Sequence, residues 1–129
     1  MELLIGPAVV FGIVIALIEM HFVHEDDVGR AWIKHAWHAM PFAFAGVFIN
    51  MNVPFVLELI GFAESFMTII GLQAAVSVIL MIKIHSAATI AGKVGEKWIH
   101  VFIIGILMFA SYYIWDLFLE GIIGGYIPF

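Results

Sequence analysis

Cysteine is absent from these 129 residues, which excludes disulfides, iron–sulfur clusters, c-type haem attachment and thiol catalysis. Charge is scarce. Asp, Glu, Lys and Arg make up 12% of the chain, about half the usual ~25% of a soluble protein. Positive charge is scarcer still, with 5 Lys and Arg against 10 Asp and Glu, a formal net charge of -5. Nothing resembles a phosphate-binding basic patch, so nucleic acid is not an expected partner. Glu2 stands where a cleavable signal peptide would carry Lys or Arg, and no such leader is expected. No Gly-x-Ser-x-Gly, no His-Glu-x-x-His and no phosphate loop occurs, and the histidines are too few for the boxes of a membrane di-iron desaturase.

What is present is apolar. Hydrophobic residues form 64% of the chain and the mean hydropathy is +1.14. Spanning a bilayer takes about 20 apolar residues, and four such runs fill most of the length. The reading is an all-α polytopic membrane protein, a single transmembrane domain over 1–129. It forms a four-helix up-down bundle with helices near 3–23, 31–49, 64–86 and 96–119. The apolar stretch 55–63 is too short to cross. Glu58 interrupts it and Gly61 ends it. It reads as a short interfacial helix between helices two and three, the alternative being an extension of helix two. The segment from Glu120 to Phe129 reads as a glycine- and aromatic-rich tail.

Small residues mark faces where helices approach closely. On the first helix these are Ala8, Gly12 and Ala16, and on the second Ala36, Ala39, Ala43 and Gly46. Pro41 removes a backbone donor inside helix two and is expected to bend it. Gln73 and Ser77 lie one turn apart near the middle of helix three. An amide facing lipid is costly, so this stripe is expected to face protein. Asp26 or Asp27 is placed to cap the second helix.

The polar residues are distributed unevenly. All six histidines fall at helix ends that meet on one side of such a bundle: His21, His24, His35, His38, His85 and His100. Arg30, Lys34, Lys83, Lys93 and Lys97 share that side, while Glu2, Glu58, Glu64, Asp116 and Glu120 lie on the other. Positive charge stays in the cytoplasm. The expected location is therefore the cell membrane, with both termini outside and the histidine-rich face cytoplasmic.

Imidazole is the commonest transition-metal ligand, and a four-helix bundle holds metals by pointing a ligand inward from each helix. The candidate metal ligands are Glu19, His35, His38, His85 and His100. At about 100° per residue, Glu19 shares the face of Gly12 and Ala16 and looks inward, whereas His21 looks away. His100 shares a face with Ile104, Leu107 and Ser111. His35 is nearer the small-residue face than His38, though His38 is deeper. The strongest subset is Glu19, His38 and His100. His38 and His100, on diagonal helices, are candidate axial ligands of haem b. Against this stands the plainer reading that histidine and tryptophan are at home at a membrane interface, and that Glu19 pairs with Lys83 or Lys34.

Three functions follow as expectations. The first is a redox or metal-handling membrane protein with a transition metal ion or haem b at the cytoplasmic end. The second is a homo-oligomeric channel or transporter subunit for protons or small cations, since intramembrane polar groups often mark such routes. The third is a non-catalytic membrane subunit of a larger complex. The expected partners are the lipid bilayer and either a second copy of the chain or another membrane subunit.

Overall fold

Long apolar runs with few helix breakers satisfy their own backbone hydrogen bonds as helices, and this chain does so almost throughout. A computed structural model describes residues 3–26, 31–90 and 97–127. Helix α1 spans Ile5–Asp26, α2 Ala31–Met51, α3 Val53–Leu59, α4 Phe66–Ile90 and α5 Trp98–Ile114. A π turn, Trp115–Leu119, carries α5 into α6, Glu120–Ile123, and a closing 3-10 turn, Gly124–Tyr126. Three helices are long and apolar enough to span a membrane, and a fourth if α2 and α3 count as one bent span. Asp27, Arg30 and Lys93, assigned above to the connections, lie outside the described residues, as does Glu2.

The first helix runs one turn further than 3–23, keeping His24, Glu25 and Asp26 helical. The last runs further still. Residues 120–126, expected as a tail, continue the helical path, so that Trp98–Tyr126 reads as one span. The extra residue of the π turn turns Trp115 inward, where its ring meets Phe11 edge-on at 6.4 Å.

The break in α2 is not at Pro41. The helix passes through that residue, which is exposed. The missing N–H therefore falls on the outer face. The chain breaks at Asn52, where α3 leaves α2 at 83°. Asn52 Nδ2 donates to Phe48 O (2.9 Å), and the Leu4 N–H donates to Asn52 Oδ1 (2.8 Å). One side chain thus caps the end of α2 and ties down the start of α1. Pro54 sits in the first turn of α3, where its missing donor costs nothing. So the stretch after helix two is a separate short helix, beginning two residues before 55. It ends at Gly61, whose φ of 76° is the left-handed conformation that glycine adopts freely. The bonds Phe62 N–H to Leu57 O and Gly61 N–H to Glu58 O close it as a Schellman turn. Ser65 and Thr68 then exchange side-chain and backbone bonds to cap α4.

α1 packs most extensively on α2, α2 also packs on α4 and α5, and α4 packs on α5. α2 is therefore the central helix, and α1 and α4 occupy far corners. The core between them is small and apolar: Ala8, Ile15, Ala39, Ala43, Val47, Ile84, Ile104 and Met108. Gly12 admits the Phe44 ring, and a Cβ built there would lie 2.6 Å from it. The exterior is equally apolar, with Trp37 80% and Met67 77% exposed. The buried set, in contrast, includes Glu19, His35, Asn50, Asn52, Gln73, Ser77 and Ser111. Greasy outside with polar groups gathered within is the reverse of the soluble pattern.

Candidate functional site

The histidine-bearing helix ends do meet. His24 lies edge-on to Trp32 at the start of α2, with ring centroids 5.1 Å apart. His85, near the end of α4, stacks on Trp98 at the start of α5 (3.9 Å, 20°). His100 stacks on Phe22 of α1 (4.4 Å, 10°). Aromatic pairing of this kind draws four helix ends into one layer.

Asp26 is the hinge of that layer. Its Oδ2 accepts from the Lys97 backbone N–H (3.0 Å) and from His100 Nδ1 (2.9 Å), and its Oδ1 meets Lys97 Nζ at 2.6 Å. The first N–H groups of a helix have no partner within it, and a carboxylate there also meets the positive end of the helix dipole. Asp26 thus caps α5; Asp27, the other candidate cap of α2, lies outside the described residues. The hydrogen bond and charge of Asp26 hold the Lys97 ammonium above the usual lysine range.

The expected ligands divide into two groups. Glu19 is fully buried and His35 is 1% exposed. Two contacts fix the register of α1 against α2: Gly12 faces Phe44, and His24 faces Trp32. Residues whose numbers sum to 56 therefore lie at one depth. Glu19 is level with residue 37, so His35 differs from it by two residues, about 3 Å along the helix. A carboxylate and an imidazole thus lie within one helical turn of each other in depth, in adjoining helices. Lys83 and Lys34, the cations considered for Glu19, are both exposed.

The second group looks outward or sideways. His38 is partly exposed, and its Nδ1 lies 2.7 Å from Lys34 O. His85 is half-buried against Trp98, and His100 is held by Asp26. His21 is exposed beside Glu25 (3.4 Å). Among the described residues no group of three or more His, Asp or Glu side chains stands ready for a metal ion.

A second polar cluster lies at the opposite end, around the break between α2 and α3. Asn50 Nδ2 donates to Ser77 Oγ (2.9 Å), Gln73 Nε2 donates to Asn50 O (3.2 Å), and Tyr113 OH donates to Gln73 Oε1 (2.9 Å). Gln73 and Ser77 face protein as expected. Asn50, read from sequence only as part of a helix exit, joins them across helices. The signal that would have found it is an asparagine followed two residues later by another and then by Pro54, the composition of a capped helix break.

No protein-family model, curated protein sequence or solved structure matches the chain.

Proposed function

We propose that the chain is a small integral membrane protein that binds and relays a proton, or a small cation, through Glu19 and His35. The supporting observation is the complete burial of this carboxylate and imidazole within one helical turn of each other in depth, in helices long enough to cross a bilayer. An ionisable pair inside apolar surroundings is expensive to keep and marks an ion or proton route by default. The interior beyond them is built from Ala39, Ala43, Val47, Ile104 and Met108, with no continuous polar path among the described residues. Transport across the membrane then requires an assembly of several copies. In this reading the histidine-rich layer faces the cytoplasm and the Asn50 end faces outward.

Purified protein in liposomes, with a potassium-diffusion potential and an entrapped pH dye, tests the proposal. Proton uptake above that of empty liposomes is expected, and Glu19→Gln and His35→Gln each abolish it while the protein still reconstitutes. Flux equal to that of empty liposomes overturns it.

One observation favours the metal or haem reading as a second. Lys34 O and Asp26 Oδ2 are acceptors, so each facing Nδ1 carries a proton, and the Nε2 of neutral His38 and of neutral His100 bears a lone pair. Metal-bound histidines are commonly oriented this way. A transition metal ion or haem b would be bound by these two; Glu19, His35 and His85, the other expected ligands, form no group of three with them among the described residues. Stoichiometric metal or a Soret band, lost in both His38→Ala and His100→Ala, carries that reading. Absence of flux, metal and haem together leaves a non-catalytic membrane subunit.

A further inference from the structure

We propose that the break between α2 and α3 carries a binding site for a monovalent cation, of which sodium is the type. It is separate from the Glu19 and His35 pair, about fifteen residues away along α2, and stands whether or not that pair moves protons.

The site is a cavity of about 80 Å³ lined by Asn50, Val53, Pro54, Glu64, Ile69, Gln73 and Tyr112. That is room for a small ion with a few waters. Its polar lining is unbalanced. Asn50 is fully buried and its Oδ1 has no hydrogen-bond partner among the described residues. Its Nδ2 is turned to Ser77, which does not line the cavity, so the carbonyl oxygen is the amide atom directed into it. A buried acceptor left unsatisfied is costly, so an asparagine held in this way points to something that satisfies it. Gln73 is committed elsewhere, donating to Asn50 O and accepting from Tyr113. The remaining side-chain oxygens among the lining residues are those of Asn50, Glu64 and Tyr112.

All three are oxygens, the donor type that hard cations select. With one carboxylate among them the site carries a single negative charge, which matches one positive charge and undercompensates two. The local field has the same sign. Asn50 lies in the last turn of α2, where the helix dipole presents its negative end. No Lys or Arg lies between Ile49 and Met81. Irregular backbone within apolar surroundings is tolerated where it lines a cavity or is buried in protein, and the 83° bend supplies such a place.

Thermal unfolding of the full chain in a non-ionic detergent tests the assignment. It is run in sodium chloride, potassium chloride and choline chloride at one ionic strength. A ligand that binds only the folded state raises Tm in a saturable way. The expected result is a rise of several degrees in sodium over choline, saturating with concentration. Glu64 is exposed in the loop before α4, so Glu64→Gln is expected to fold, keep its Tm in choline and lose the sodium-dependent rise. Asn50→Ala removes the buried acceptor and the bond to Ser77 together. Should it fail to fold, Glu64→Gln with direct binding of radioactive sodium decides. Equal Tm and no retained sodium overturn the proposal, as does a sodium response that survives in Glu64→Gln. A rise in potassium alone supports the site and reassigns its ion.

Discussion

Asp26 shows how much a single side chain at the end of one helix determines at the start of another. Its bond to His100 is charge-assisted on the acceptor side and mostly shielded from water, a class that contributes about 1.5–3 kcal/mol. Asp26→Asn is expected to lower stability by about 1–3 kcal/mol in denaturant unfolding. In a double-mutant cycle its cost and that of His100→Gln should not add. Additive losses would mean that the two groups act independently. Lys97 supplies a test by pH. Its pKa is raised in the folded state by the Asp26 hydrogen bond and charge. The contribution is therefore fully present below the ordinary lysine value and disappears as pH rises through the raised one. Lys97→Met should flatten the alkaline limb of the stability profile and leave the neutral region parallel to wild type. The role of Asp26 was not legible in the sequence, because its partner stands 71 positions away and caps are read from neighbours.

Among the elements, the hydropathy of the four long runs located the helices, and glycine placement located one end of α3. Hydrophobicity did not show which face of each helix turns inward, because apolar residues surround every helix. Small and polar residues did: Gly12, Ala16 and Glu19 define one face of α1, and all three are buried. The same logic failed for residues 120–126. Gly121, Gly124 and Gly125 read as a loop, yet packing of the segment beside Leu4, Pro7 and Trp115 keeps it helical. Two glycines make opposite predictions. Gly12→Ala forces a methyl group against the Phe44 ring and should cost about 1–3 kcal/mol by overpacking. Gly71 has open space at its Cβ, so Gly71→Ala should stabilise α4 by roughly 0.5–1 kcal/mol through helix propensity. Paired melting curves moving in the same direction would contradict this account of α1 against α2. Asn52 is the third element-level test. Asn52→Ala deletes both the α2 cap and the tether to α1, and hydrogen exchange at the Leu4 amide should accelerate while amides in the centre of α4 keep their protection.

For the molecule as a whole, the charge asymmetry predicts an orientation. Lys34, Lys83 and Lys97 lie at the end where α1 finishes and α5 begins, and the acidic residues Glu58, Glu64, Asp116 and Glu120 at the other. The cysteine-free background makes this directly measurable. A cysteine at Tyr126 or Glu2 should react with an impermeant thiol reagent in intact cells, and one at Gly92 should react only after permeabilisation. The reverse pattern would invert the assignment. The all-helical class was legible because so apolar a chain satisfies its backbone groups as helices, and three, or four with the bent pair, are long and apolar enough to span a membrane. The candidate site was legible only in part. Helix phase indicated Glu19 and ranked His35 closer to the packed face than His38. The cluster at Asn50 emerged only when the bend brought three helices together.

The carboxylate that closes α1 belongs, in synthesis, to a residue made some seventy positions before the amide it caps. While α1, α2 and α4 are made, Lys97 and His100 are not yet present to bond that carboxylate. The arrival of Lys97 and His100 supplies the bonds seen in the fold, and the stacking of His100 on Phe22 forms in the same step. A chain ending after α4 would therefore leave Asp26 without Lys97 and His100, and Phe22 without the imidazole stacked on it.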